Sequence, residues 1–342
     1  MDHTYREIKR QPQSFREALT QLQSVKSDFA SLFQETPDGV ILAGCGTSYN
    51  LALSAAHTFQ TATTIPARGV PSSEVFLFPG GIFLPSKHYL FVAISRSGET
   101  SETVRALRFF TEQYQGKTVG ITCEPGSALS RFCAFPIVFP FAHEESVVMT
   151  QSFSTMLLGF TFLALSLKGQ EDVLNSLPEM LERELLEEEK TVKALAEEEK
   201  FTKFIFLGNG PYYGVAWEGS LKLKEMSLTP TETFHFLEFR HGPKSIVDEA
   251  TLIIALTSQS AFSFERELLK EMVDLGATVF HLGKMPLRFP RTVEIIFKEE
   301  GLTDFSLPIL DVAFLQLLGY FRAKHRGLDP DHPHNLTKVV TL

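Results

Sequence analysis

The chain has 342 residues, about twice the length of an average domain, so we expect two domains that each bury a hydrophobic core. Its residues are 44% hydrophobic and 21% charged, which is typical of a water-soluble globular protein. The formal net charge of −9 disfavours nucleic acid as a partner, because nucleic-acid-binding proteins usually carry a basic face.

The start of the chain predicts an amphipathic helical segment over the first 35 residues. The opening residues, Met1-Asp-His-Thr-Tyr-Arg6, lack the apolar core of a secretory leader. The longest apolar run, Met156–Leu167, is too short to cross a bilayer. The three cysteines are an odd number without metal-ligand spacing, which fits a reducing compartment. We therefore expect a cytoplasmic protein with no membrane partner.

The same arrangement occurs twice along the chain. Val40–Gly44 predicts a buried strand that runs into a glycine turn, and Tyr49–Gln60 predicts the helix that follows. About 164 residues later, Phe204–Gly208 and Tyr213–Met226 repeat this strand and helix. Two further predicted strands of each half also correspond: Leu90–Ser95 with Leu252–Thr257, and Lys117–Thr122 with Ala277–His281. The chain is therefore predicted to be an internal duplication.

The duplication sets the predicted domain boundaries. Residues 1–35 form a helical segment, 36–180 a first domain, 181–200 a connecting helix and 201–342 a second domain. Short apolar strands that alternate with helices predict α/β domains, each with a parallel sheet covered by helices on both faces. The predicted fold is two tandem doubly wound, flavodoxin-like domains, with ligands at the carboxyl ends of the strands.

The predicted connecting helix, Leu181–Lys200, is strongly charged. Eleven of its twenty residues are Glu or Lys. A solvated helix explains this composition, and a surface that binds a partner protein is the alternative.

Small hydroxyl side chains follow the strands of the first half. Thr47 and Ser48 come after the first strand, and Ser95, Ser97 and Thr100 come after the next apolar strand. Such loops expose N–H and O–H donors where they open helices, which suits a phosphate monoester. The alternative for the first loop is a tight turn with Ser48 as an N-cap. The sequence lacks a Gly-x-x-x-x-Gly-Lys-Ser/Thr loop and the third glycine of a dinucleotide fingerprint, so nucleotides are disfavoured.

Acid–base chemistry is predicted in the second half. Glu218, Lys222 and Glu225 lie along one stripe of the predicted helix, because they are spaced at i, i+4 and i+7. A carboxylate in a partly desolvated cleft beside an ammonium has the basicity needed to move a proton between carbons. A solvated surface stripe is the alternative. His241 precedes Gly-Pro in a predicted turn, where a functional or a structural histidine fits. No histidines and carboxylates have convincing metal spacing.

Together, these residues resemble the sugar isomerase (SIS) superfamily, and are most similar to enzymes with two SIS domains, such as the isomerase half of glutamine:fructose-6-phosphate aminotransferase. The resemblance spans nearly the whole chain. The matching motifs, in order, are Glu7-Ile-x-x-Gln11-Pro12, Cys45-Gly-Thr-Ser48, Ser95-x-Ser97-Gly-Glu-Thr100, Glu218-Gly-x-Leu-Lys222-Leu-Lys-Glu225, His241-Gly-Pro243 and Asp331-x-Pro-x-Asn335-Leu-x-Lys338.

The resemblance implies a role for each matching residue. The implied phosphate ligands are Thr47, Ser48, Ser95, Ser97 and Thr100, with Arg96 in place of a family glutamine. Glu225 matches the glutamate that shuttles the proton, Lys222 its assisting lysine, His241 the ring-opening histidine and Lys338 the lysine that contacts the substrate carbonyl. Residues expected to line the sugar pocket are Cys45, Gly46, Val147 and Glu218. Since the histidine of relatives comes from a neighbouring subunit, a homodimer with a site shared across its interface is implied.

The sequence also departs from the aminotransferase. No glutaminase region with an N-terminal cysteine precedes Glu7, so we expect that this chain does not draw ammonia from glutamine. Ser95-Arg96-Ser97 and Val147–Phe153 resemble the stand-alone branch of glucosamine-6-phosphate deaminase-like and ketose/aldose phosphate isomerase-like enzymes. The expected substrate is a hexose or amino-hexose 6-phosphate, with no metal and no organic cofactor. The alternatives are isomerisation without deamination, a non-catalytic sugar-phosphate sensor, and a scaffold that binds a partner through the acidic helix.

Overall fold

The computed structural model describes residues 2–114 and 116–338. Their coordinates divide into two compact units. The first sheet lies in a unit that comprises Arg10–Pro178 and the chain from Thr337. The second sheet lies in a unit that comprises the chain up to Lys9 and Glu179–Leu336.

The first unit contains a five-stranded parallel sheet. Its strands are β1 (Gly39–Gly44), β2 (Ala67–Pro71), β3 (Tyr89–Ile94), β4 (Thr118–Thr122) and β5 (Phe135–Val138), in the order β2-β1-β3-β4-β5. The helices are α1 (His3–Ser31), α2 (Thr47–Thr63), α3 (Ser72–Leu77), α4 (Ser101–Tyr114), α5 (Ala128–Phe132) and α6 (Gln151–Ser166). Every residue of β1 and β4 is buried, as expected for inner strands of a sheet covered on both faces.

The second unit repeats this topology. Its strands are β6 (Lys203–Gly208), β7 (Thr231–Phe234), β8 (Thr251–Leu256), β9 (Thr278–Gly283) and β10 (Thr292–Ile296). They are parallel in the order β7-β6-β8-β9-β10, which corresponds strand for strand to the first sheet. The helices are α7 (Leu177–Glu187), α8 (Glu189–Ala196), α9 (Pro211–Ser227), α10 (Phe262–Asp274) and α11 (Leu307–His325). The predicted duplication and the flavodoxin-like strand order are confirmed.

Burial explains the two most apolar helices. Of the 16 residues of α6, only Ser166 is not buried, and α11 is buried from Leu307 to Ala323. A helix that is apolar all round belongs in a protein core or in a membrane. Among the described residues, no helix combines the length and apolar character needed to cross a bilayer.

The acidic segment 181–200 differs from the prediction, because it forms two helices, α7 and α8, and not one. Each helix buries an apolar pair of its own: Leu181 and Leu185 in α7, and Val192 and Leu195 in α8. The segment is therefore solvated on its charged faces only. Its role in binding a partner stays a prediction.

Candidate functional site

The loop between β1 and α2 has a backbone that requires glycine. Gly46 adopts a left-handed φ of 52° before the first residue of α2. A Cβ on Gly44 would lie 2.4 Å from the main-chain carbon of Ser48, so the strand and helix approach closely there. Thr47 and Ser48 are buried in the first turn of α2, where N–H groups lack helical partners. Gly46 occupies the N-cap position and has no side chain that could cap the helix, so the helix start is a suitable place for an anion.

The loop after β3 brings three predicted phosphate ligands together. Ser95 Oγ lies 2.9 Å from Thr100 Oγ1 and 3.4 Å from Ser97 Oγ. The main-chain N–H of Gly98 donates to Ser95 Oγ at 3.1 Å, which fixes the loop. Hydroxyl hydrogens rotate, so these groups can donate to phosphate oxygens instead of to one another. The strands β1 and β3 are neighbours where the strand order reverses, which is where doubly wound folds bind ligands.

Arg96 is engaged by protein acceptors. Its Nη1 lies 3.0 Å from Glu144 Oε2 and also donates to the carbonyl of Val148 at 3.2 Å. Its Nη2 donates to the carbonyl of Val147 at 3.0 Å. The structure thus brings Arg96 and Val147 together as expected, but it shows the guanidinium paired with a buried carboxylate. Phosphate binding by Arg96 stays a prediction.

Glu144 is a structural centre of this unit that sequence reasoning missed. Its side chain is fully buried, and its carboxylate accepts hydrogen bonds from the N–H groups of Thr150 at 2.6 Å and Ser152 at 3.0 Å. The Ser152 hydroxyl also donates to it at 2.6 Å. A carboxylate at the start of α6 is favoured by the helix dipole. The signal in the sequence, an acid six residues before a Thr-x-Ser helix start, is too common to single out this residue.

Lys338 lies next to Glu144 within the same unit. Its Nζ donates to the main-chain carbonyl of Glu144 at 2.7 Å, and its own carbonyl accepts from Arg96 Nη2 at 3.3 Å. The terminal lysine is therefore held by the residues that follow β3 and β5. Residues 339–342, which follow Lys338, lie outside the described residues.

The three cysteines of the first unit are free thiols that are partly or fully buried. Cys45 is half-buried, and burial raises the pKa of its thiol, which disfavours the nucleophilic thiolate. Cys123 and Cys133 are free and buried. Across the described ranges, no group of three or more His, Cys, Asp or Glu is placed to hold a metal ion.

In the second unit, Lys222 lies between two carboxylates. Its Nζ is 3.3 Å from Glu218 Oε1 and also donates to Glu225 Oε2. The side chains of Lys222 and Glu218 are each 1% exposed, while that of Glu225 is 19% exposed. Burial lowers the pKa of Lys222, but the two carboxylates outweigh burial and hold the pKa above its usual value. The stripe is therefore a buried ion cluster, and the solvated alternative is wrong.

The position of this cluster differs from the expectation of a site at the carboxyl ends of the strands. The helix α9 begins at Pro211, just after β6, and Glu225 comes 14 residues later in the last helical turn. This separation corresponds to about 21 Å along the helix. The cluster therefore extends from the middle of α9 at Glu218 to the end that is remote from the glycine turn of its own sheet, where Glu225 lies.

His241 lies in a turn, as predicted. It is exposed, follows a short 3-10 helix and precedes Gly242, whose φ is 116°. Within the described part of the unit, no hydrogen bond or ion pair joins its ring to Glu218, Lys222 or Glu225. Its ring-opening role stays a prediction.

Comparisons with known proteins agree with this architecture. The profile of the SIS domain family matches residues 36–166. The structure also aligns with a crystal structure of glucosamine-6-phosphate deaminase from Thermotoga maritima, with a TM-score of 0.73, 31% identity and coverage of 95% of this chain and 99% of that chain. The chain belongs to the SIS family. The predicted family and fold are confirmed.

Other SIS relatives are aminotransferases. The chain is 31% identical to glutamine–fructose-6-phosphate aminotransferase of Clostridium perfringens over 376 residues, which cover 100% of this chain and 59% of the relative. The structure of the C-terminal domain of glucosamine-fructose-6-phosphate aminotransferase from Francisella tularensis has a TM-score of 0.86, with 26% identity and coverage of 97% of this chain and 98% of that chain. The chain thus spans 59% of the length of the Clostridium perfringens relative.

The loops of the second sheet of this SIS protein bind carboxylates of the protein itself. Asp304 accepts hydrogen bonds from the N–H groups of Gln259 at 2.7 Å and Ser260 at 3.1 Å, in the loop after β8. Glu265 accepts from the N–H of Ser258 at 2.8 Å and from the side chain of Asn209 at 2.9 Å. These loops correspond to the hydroxyl loops after β1 and β3. In these loops, carboxyl groups of the protein itself already accept hydrogen bonds from the donors named above.

Proposed function

We propose that the protein is a phosphosugar isomerase that acts on an amino-hexose 6-phosphate and releases ammonia and a ketose phosphate. The observation that carries this proposal is the ion cluster of Glu218, Lys222 and Glu225. Two of its members are almost fully buried, while Glu225 keeps 19% of its side chain exposed and so can reach a ligand. A carboxylate that is partly desolvated and paired with an ammonium is suited to repeated proton transfer.

The hydroxyl groups after β1 and β3 would hold the phosphate. The hydroxyl oxygens of Ser97 and Thr100 lie 3.4 Å and 2.9 Å from that of Ser95, and Ser48 lies at the start of α2. The start of α2 adds main-chain donors and the positive end of its dipole. Binding through the phosphate would fix the sugar so that its reacting carbons keep one orientation during proton transfer.

Proton transfer is assigned to Glu225. It removes the proton from C2 of the open-chain aldose, which gives an enolamine, and the proton is then delivered to C1. The resulting imine at C2 takes up one water, and its hydrolysis releases one ammonia and leaves the ketose. The ammonium of Lys222 would stabilise the negative charge that develops during enolisation.

Two further residues have proposed roles in handling the sugar. His241 would open the ring, and Lys338 would donate to the carbonyl oxygen at C1 of the open chain. The position of Lys338 beside Arg96 and Glu144 supports the second role, because it holds the ammonium close to the loop of the proposed phosphate ligands.

The likeness to the deaminase of Thermotoga maritima favours an amino sugar over a neutral one, because it covers 95% of this chain at 31% identity. The test is ammonia release from glucosamine 6-phosphate and other amino-sugar phosphates, assayed beside isomerisation of fructose 6-phosphate and tagatose 6-phosphate. We expect ammonia and ketose phosphate in equal amounts. Isomerisation without ammonia would refute the deaminase, and binding without turnover of any of these compounds would refute an enzyme.

We also propose a homodimer in which the partner subunit supplies the ring-opening histidine. Mixing inactive His241→Ala and Glu225→Gln chains should restore activity, because half of the randomly formed dimers are mixed and each has one intact site. The expected recovery is about a quarter of the wild-type activity. A mixture that stays inactive although it forms mixed dimers would refute a shared site.

A further inference from the structure

The second unit contains a cationic cavity that the proposed reaction does not use. The cavity has a volume of about 440 Å³ and is lined in part by Arg322, His325 and Arg326 at the end of α11. Phe204 at the start of β6 and Thr229 just before β7 line it too, so it lies at the amino ends of the strands. Neither the proposed phosphate ligands nor the Glu218–Lys222–Glu225 cluster contributes to its lining.

Among the described residues, neither guanidinium group of this cavity forms an ion pair with a carboxylate. In the described part of the chain, no carboxylate lies within 4.0 Å of Arg322 or Arg326, whereas their neighbour Lys324 pairs with Asp2 at 3.1 Å. The one carboxylate in the lining, Glu199, is 3.5 Å from His325 Nε2 and is 87% exposed. Arg326 is exposed to solvent, whereas Arg322 is buried. Carbonyls at helix ends offset part of the charge of Arg322, but a desolvated cation without an ion pair remains costly.

Arg322 is also left with an unsatisfied donor. The residue is only 9% exposed, and its Nε has no hydrogen-bond partner although it is buried. Buried N–H groups in native proteins are almost always paired, so this one indicates a missing acceptor. Burial and the neighbouring Arg326 lower the pKa of Arg322, and together they outweigh the carboxylate of Glu199, which raises it.

Both guanidinium groups are held in place before any ligand binds. Arg322 Nη1 donates to the carbonyls of Ala196 at 3.1 Å and Glu198 at 2.8 Å, and its guanidinium carbon lies 5.1 Å from the centre of the Phe204 ring. Arg326 Nη1 donates to the carbonyl of Ser227 at 2.8 Å and to Thr229 Oγ1 at 3.2 Å. The Nη1 atoms of both arginines are therefore already bonded to acceptors of the protein. The Nε and Nη2 of Arg326 are left for an acceptor, and because the side chain is already held in place, the entropy cost of binding is lowered.

We propose that this cavity is a binding site for a small dianion of the phosphate class, either inorganic phosphate or a phosphate monoester. Two guanidinium groups match the charge of a dianion and the geometry of its oxygens better than that of a monocarboxylate. The cavity, at about 440 Å³, is larger than a phosphate ion, which leaves room for the organic group of a monoester. The site is separate from the proposed active site and does not depend on the proposed function.

The test is equilibrium dialysis with radiolabelled inorganic phosphate. The Ser97→Ala/Thr100→Ala chain, which lacks hydroxyls of the proposed active site, should still bind one phosphate. Adding Arg326→Gln should weaken this binding by at least about tenfold, because it removes charge-assisted hydrogen bonds. Lys324→Gln is the matched control, since it removes one charge from the same helix end but not from the cavity, and it should leave binding unchanged.

Two further measurements keep the test decisive. Arg326 also bonds to main-chain carbonyls, so its replacement could disturb the fold. The variant His325→Glu leaves those bonds intact and places a negative charge in the cavity. This variant should also lose phosphate binding. Glycerol 3-phosphate should displace the label, and acetate should not. Retained binding in both cavity variants, displacement by acetate, or no phosphate bound to the Ser97→Ala/Thr100→Ala chain would overturn the proposal. If only the proposed active site fails to bind phosphate, the wild type and the Ser97→Ala/Thr100→Ala chain will bind the same number of ions.

Discussion

Lys222 Nζ lies 3.3 Å from Glu218 Oε1, and both side chains are 1% exposed. An ion pair this deeply buried adds little net stability compared with apolar residues, but removal of one partner leaves a buried charge unpaired. Lys222 is therefore important for the stability of the second unit as well as for the proposed catalysis.

Replacement of Lys222 by Met should destabilise the protein strongly. The expected loss in free energy of unfolding is about 3–5 kcal/mol, because Glu218 is left without its cation. Urea denaturation followed by circular dichroism measures it. The double variant Glu218→Gln/Lys222→Met should recover part of the loss. A single variant as stable as the wild type would show that the pair is not buried as described.

The spacing of this cluster was predictable from the sequence, but its burial and position were not. Residues at i, i+4 and i+7 share a face of any helix, so Glu218, Lys222 and Glu225 had to lie together. Whether that face is buried depends on residues from other elements, such as Gly319 of α11, where a Cβ would lie 3.1 Å from the carbonyl of Lys222. The sequence of α9 alone does not show which residues of other elements pack against it, so the burial of this face could not be predicted.

The hydroxyl groups after β3 should matter only for phosphorylated ligands. Ser97→Ala combined with Thr100→Ala should weaken binding of glucosamine 6-phosphate far more than binding of glucosamine, as measured by calorimetry. Thr111→Ala is the control, because its hydroxyl bonds to the carbonyl of Leu107 on an outer face of α4. Equal losses for both ligands would mean that the loop is only a turn.

Lys338 should affect turnover and not stability. Its side chain is exposed apart from the bond to the carbonyl of Glu144, so Lys338→Ala should change the midpoint of thermal unfolding little. Turnover should fall by about a hundredfold, as for loss of one donor to a developing oxyanion. Lys338→Arg keeps the charge and should retain part of the activity. Normal turnover of Lys338→Ala would remove the residue from the proposed mechanism.

Glu265 should make the stability of the second unit depend on pH. Burial raises the pKa of this carboxyl to about 7, against the opposing hydrogen bonds from Ser258 and Asn209. The folded state then binds more protons than the unfolded state between pH 4.5 and 7, so stability falls as pH rises through this window. In the wild type, the free energy of unfolding should fall by on the order of 3 kcal/mol between pH 4.5 and pH 8 because of this residue, and in Glu265→Gln this fall should be absent. The exposed Glu267→Gln is the control, and an unchanged slope in Glu265→Gln would contradict the assignment.

The two sheets could be predicted well from the sequence. The acidic side chains that accept hydrogen bonds in the loops of these sheets could not. Apolar strands such as Val40–Gly44 alternate with helices, and this local pattern gave the duplication and the parallel topology. Glu144, Asp304 and Glu265 are carboxylates whose partners lie six or more residues away in sequence. An isolated acidic residue carries no local signal of such a role, and only the folded chain shows it.

The central claim is that Glu225 carries the proton from C2. It is tested most directly with glucosamine 6-phosphate deuterated at C2, by following loss of the label by NMR together with ammonia release. The wild type should lose the C2 deuterium in step with ammonia release, and Glu225→Gln should slow both by at least about a hundredfold while it still binds the substrate. The control Glu232→Gln, which changes an exposed carboxylate of the same unit, should behave as the wild type. If Glu225→Gln loses the label at a rate near that of the wild type, Glu225 is not the proton carrier and the account is wrong.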